Sequence, residues 1–117
     1  MSDDVVERKV YYHTHDYEND TKLEYVLKEG RSELTLTFES EDPDYGTEGL
    51  YYNAEPAEDM KTMARELRDE LSTYIDYAYS SQEQPRPSKE QEEFYDDYSY
   101  TSLIAWESAL MKFDYGW

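Results

Sequence analysis

Eleven residues, Glu90 to Tyr100, hold five carboxylates and four aromatic rings. After Lys89 the next base in the chain is Lys112. On a helix, side chains three or four apart lie roughly 5–6 Å from each other. Glu92 with Asp96, and Glu93 with Asp97, would then form two adjacent anionic rows, with Glu90 one turn before them. Such rows match a nucleic-acid backbone in sign and approximate spacing, and suit a Lys/Arg groove built for phosphate. Tyr95 and Tyr98 would add stacking or hydrogen bonds to arginine, since aromatic residues are favoured interface anchors. With no base between Lys89 and Lys112, the surface is expected to be free of local neutralisation.

A second base-free window runs from Ser32 to Met60. Glu39, Glu41, Asp42 and Asp44 are its candidate contacts, and Glu48, Glu55, Glu58 and Asp59 continue it. The two windows contain 15 of the 29 acids and none of the 11 bases. Like-charge neighbours cost energy, and soluble domains usually intersperse the signs. The competing explanation is a solvated face kept charged for solubility or for high salt.

Other chemistry is thinly represented. His13 and His15 would share one side of a strand and could ligate a metal, but two histidines beside Asp16 are a minimal set. Asp42-Pro43-Asp44-Tyr45-Gly46 departs from the calcium-loop pattern: its glycine falls at the fifth position, and Asn53 stands where a bidentate Glu belongs. There is no cysteine for thiolate or disulfide chemistry. No phosphate-binding glycine loop, nucleophile elbow or zinc-helix pattern is present. The expectation is a non-enzymatic protein without metal or cofactor.

The formal charge of −18 repels nucleic acid and anionic lipid and favours cationic partners. Fourteen Tyr, three Phe and two Trp in 117 residues argue for a folded, tyrosine-rich core instead of a solvated tail. The first residues do not read as a signal peptide, and no apolar run is long enough to span a membrane; the cytoplasm is the expected compartment.

The elements that must position these groups follow from periodicity. Val5 to Thr14 reads as a strand, with Val6, Val10 and Tyr12 on one face. Leu23, Tyr25 and Leu27 alternate in a second strand, and Leu34, Leu36 and Phe38 in a third. A two-residue turn at Glu29-Gly30 sets Leu23 opposite Leu36 and Tyr25 opposite Leu34. Glu39 to Glu48 is an acidic loop, and Leu50 to Tyr52 a short fourth strand. Pro56 to Asp59 opens a helix whose stripe is Met60, Met63, Ala64, Leu67, Leu71, Tyr74, Ile75 and Ala78. Its other face, including Glu66 and Glu70, reads as ordinary solvated surface. Two prolines make 81–88 a linker, and Ser88 caps a helix over 89–113, with a break admitted near Ser99 to Thr101. The predicted class is α+β: one domain with a β-meander over 1–54, then helices over 57–80 and 89–113 covering one sheet face.

Small size, absence of cysteine, extreme acidity and abundant tyrosine resemble the DNA-mimic inhibitors that phages and mobile elements use against restriction, CRISPR or DNA-repair enzymes. The resemblance is compositional and rests on Glu39–Asp59 and Glu90–Tyr100. It implies a protein that competes with nucleic acid for a basic groove. The alternative is an acidic adaptor or structural domain that binds a basic protein without mimicry.

Overall fold

The computed structural model describes residues 5–15, 19–40, 47–80 and 85–116, apart from the side chains of residues 14, 15, 19, 40 and 116. Its organising element is the hairpin of β2 (Asn19–Lys28) and β3 (Arg31–Ser40). The turn needs a residue at positive φ, which Gly30 supplies at 79°. Leu23 lies opposite Leu36 and Tyr25 opposite Leu34, the register required by a two-residue turn. β1 (Val5–His15) pairs with the free side of β2, and β4 (Thr47–Ala54) with that of β3. The sheet is an antiparallel meander in the order β1-β2-β3-β4.

One face of the sheet is apolar. Leu23, Tyr25, Leu34, Leu36, Phe38 and Leu50 are buried beneath the helices. Each fully buried residue of this size contributes roughly 1.5–3 kcal/mol. The opposite face carries Arg8, Lys22, Lys28 and Arg31 with Asp20, Glu24, Glu33 and Glu39, four charges of each sign. Val6, Val10 and Tyr12 do not contribute to the core: they are 67%, 39% and 73% exposed. Register with β2 turns Tyr11 inward opposite Leu23, and its ring meets Phe113 edge-on at 5.4 Å.

Two long helices cover the apolar face, and a short helix between them packs against the first. α1 (Met60–Tyr79) begins after Asp59, whose carboxylate accepts the Thr62 N–H at 2.7 Å. The helix therefore starts at Met60, and Pro56 and Ala57 precede it. The expected stripe from Met60 to Ile75 is buried, whereas Ala78 is exposed beyond the edge of the core.

The second predicted helix is two. α2 (Lys89–Asp96) ends where the Asp97 N–H bonds the Tyr95 carbonyl, and α3 (Tyr100–Gly116) starts anew. Ser99 causes the restart: its hydroxyl accepts the Ser102 N–H at 3.2 Å and its carbonyl the Leu103 N–H at 3.1 Å. α3 packs against α1 and over β1 to β3, which explains an apolar surface on more than one side. Leu103, Trp106, Ala109 and Leu110 have no exposed surface.

Candidate protein-binding surface

Ser88 caps α2 by accepting the Gln91 N–H at 3.2 Å. This orients the helix so that its acids fall into two groups. Glu92 and Asp96 face α1. Glu92 accepts from the Tyr77 hydroxyl at 3.3 Å and from Arg86 Nε at 3.2 Å, and Asp96 accepts from the Tyr74 hydroxyl at 3.2 Å. The expectation of an un-neutralised surface is corrected here: Arg86, from the segment before α2, folds back onto Glu92. That pair raises the Arg86 guanidinium above its ordinary value.

Glu90, Glu93 and Asp97 form the second group. They are exposed, and their carboxylates make no hydrogen bond or ion pair among the described residues. Their spacing of three and then four residues lines them up along the outer side of α2, at axial steps of about 4.5 and 6 Å. Phe94, 39% exposed, lies beside this row.

The expected aromatic contacts are corrected as well. Tyr95 has no exposed surface, so it cannot reach a partner. Its ring packs on Tyr74 at 5.7 Å, and its hydroxyl donates to Glu70 at 2.9 Å. Tyr95 belongs to the core, as do Ser102 and Ala105 on α3. Tyr98 is half-buried, edge-on to Trp106 at 5.1 Å and to Phe94 at 6.0 Å, leaving only part of it for contact.

The Ser32–Met60 window is dispersed. Glu39 is exposed on the outer face of the sheet, between Asp20 and Thr47 in register. Glu41, Asp42 and Asp44, with the whole Asp42–Gly46 loop, lie outside the described residues. Glu33 pairs with Lys28 at 3.2 Å and Arg31 at 3.3 Å. Asp59 is spent on the α1 cap.

Glu48 is the acid at which the two windows touch. It accepts from the Ser102 hydroxyl at 2.6 Å, the Ser99 hydroxyl at 2.7 Å and the Ser99 N–H at 3.3 Å, tying β4 to the start of α3. Burial pushes its carboxyl up, but the bonds from Ser102 and Ser99 outweigh it and hold the group below the ordinary 4.5. Its stabilisation is therefore complete above about pH 4.5 and is lost as pH falls through the lower folded-state value. Glu48→Gln should cost about 1–3 kcal/mol at neutral pH, as for a hydrogen bond to a charged group. In urea melts the gap to the parent protein should close as the buffer is taken below pH 4.5.

Sequence reasoning missed the hydroxyls that serve the acids. Tyr52 reaches Glu66 and Glu70, each at 3.2 Å, and shares its one proton between them, while Tyr95 donates to Glu70. Glu70 is thus an acceptor for two tyrosines, buried Tyr95 and half-buried Tyr52, and the face of α1 that carries it is not simply solvated. Burial and then the carboxylates raise these phenols: Tyr74 is pushed up to about 12, and Tyr52 and Tyr95 shift in the same direction. They are neutral donors throughout the ordinary pH range. The available signal was composition, 14 tyrosines set against 11 bases for 29 acids.

Among the described residues, no group of three or more His, Asp or Glu could hold a metal ion. His13 lines a cleft of about 440 Å³ with Tyr12, Asp20, Lys22 and Glu39; the His15 side chain lies outside the described residues. Among the described residues no helix is long and apolar enough to cross a membrane. No protein family, curated protein or solved structure matches the chain.

Proposed function

We propose that this protein is a non-enzymatic inhibitor that presents α2 to the basic groove of a nucleic-acid-binding enzyme, in place of a phosphate backbone. The observation that supports the reading is the row Glu90, Glu93 and Asp97. These acids have no internal partner among the described residues, whereas Glu92, Asp96, Glu48 and Glu70 are occupied by hydroxyls or arginine. Unsatisfied like charges kept on one helix side have free energy to gain from a cationic surface. Phe94 and the exposed part of Tyr98 supply flat apolar surface beside them, suited to guanidinium stacking.

The test is capture from a bacterial lysate with this protein as bait, at low and raised salt. The expected result is retention of a nuclease or other nucleic-acid enzyme, displaced by added DNA or RNA and weakened by salt. Retention of a partner indifferent to nucleic acid would replace mimicry with the adaptor reading.

A further inference from the structure

β1 is an edge strand. β2 pairs with one side of it and α3 lies beneath it; among the described elements, none pairs with its other side. The opposite edge is different, because α2 flanks β4 across a cleft lined by Tyr51, Asn53, Gln91 and Phe94. An open edge offers a row of backbone N–H and C=O groups to another strand. β1 also carries Val5, Val6, Val10 and Tyr12, four of the ten large apolar side chains exposed among the described residues. It is the one element whose Lys and Arg outnumber its acids, with Arg8 and Lys9 against Glu7. In a chain of charge −18, this is where a second copy meets least repulsion.

We infer that β1 is the interface of a homodimer, pairing antiparallel with β1 of a second copy to make a continuous eight-stranded sheet. The irregularity between Val5 and Glu7 interrupts the edge, so the regular stretch starts at Glu7. Charge selects the register within it. A two-fold axis at Arg8 or Lys9 would set like charges directly opposite each other, and one at Tyr11 would set Lys9 against His13. An axis at Val10 sets Val10 against its own copy, Arg8 against Tyr12, Lys9 against Tyr11 and Glu7 against His13. No like-charge pair remains, and Arg8 over Tyr12 is a cation–π pair. The even register also keeps both helix layers on the same side of the joined sheet. This interface lies at the far edge from α2 and does not depend on the reading of that helix.

Sedimentation equilibrium of the full chain should give twice the 14.0 kDa chain mass. Added salt should tighten the dimer by screening self-repulsion. Val10→Lys should weaken dimerisation by about fivefold or more, as the Val10 pair is lost and like charges face each other at the axis. Its thermal melt should remain cooperative, since Val10 is exposed. The chain has no cysteine, so Val10→Cys should give a disulfide-linked dimer on mild oxidation, while Val26→Cys, one strand inward, should not. A mass of 14.0 kDa at every concentration and salt would overturn the inference. So would a dimer that survives Val10→Lys while Val10→Cys fails to cross-link.

Discussion

Tyr95→Ala is expected to remove a large part of the stability of the fold. The ring has no exposed surface and lies between Tyr74 and Phe94, with centroids at 5.7 and 4.9 Å. Removing a buried aromatic costs about 3–5 kcal/mol, against a total stability of about 5–15 kcal/mol for a domain. Glu70 would lose its shortest hydrogen bond in the same step. Tyr95→Phe separates the two contributions: the ring stays and one hydrogen bond goes, for an expected loss of about 1–3 kcal/mol where a charged acceptor is left behind. Thermal and urea melts of the pair check this. A Tyr95→Ala protein melting like its parent would remove Tyr95 from the core.

Reversing Glu90, Glu93 and Asp97 to lysine should have the opposite profile: an intact fold and lost binding. The three changes take the formal charge from −18 to −12, since each reversal alters it by two. Relief of self-repulsion should hold the melting temperature level or raise it. At a basic groove each reversal replaces an attraction with a repulsion. At about 1 kcal/mol or more apiece, the three together should weaken affinity about 100-fold or more. The captured partner's dissociation constant for the variant checks this; an unchanged value would rule out the row as the contact. Glu92→Ala with Asp96→Ala is the instructive contrast, because those carboxylates accept from Tyr77 and Tyr74 and their loss should lower stability as well as charge.

The difference between these variants marks what could be read in the sequence. The β2–β3 hairpin was legible because alternation and the Glu29-Gly30 turn demand the same register. The α1 stripe was legible because seven of its eight expected positions are buried, with only Ala78 falling beyond the core. The Ser88 cap was legible because its geometry is local. The face of β1 was not, since both its faces hold aromatic or branched residues and only pairing with Leu23 turns Tyr11 inward. The fate of individual acids was least legible. Glu48 finds Ser102 at a separation of 54 residues and Glu70 finds Tyr95 at 25, and no short-range pattern encodes either meeting. Acidity therefore outlined a surface, and the tertiary structure decided which carboxylates remain on it.

The division of charge between sheet and helices has a kinetic consequence. The four strands hold five bases against six acids, whereas α2 with Asp97 holds one base against five. Within these elements the excess negative charge therefore lies on the α2 side. If α2 is the contact proposed above, a basic surface met by diffusion attracts this charge and turns α2 forward before any side chain touches. The orientational search is shortened, and association should accelerate steeply as ionic strength falls. Dissociation depends instead on the apolar and hydrogen-bonded contacts formed after docking, and should respond to salt far less.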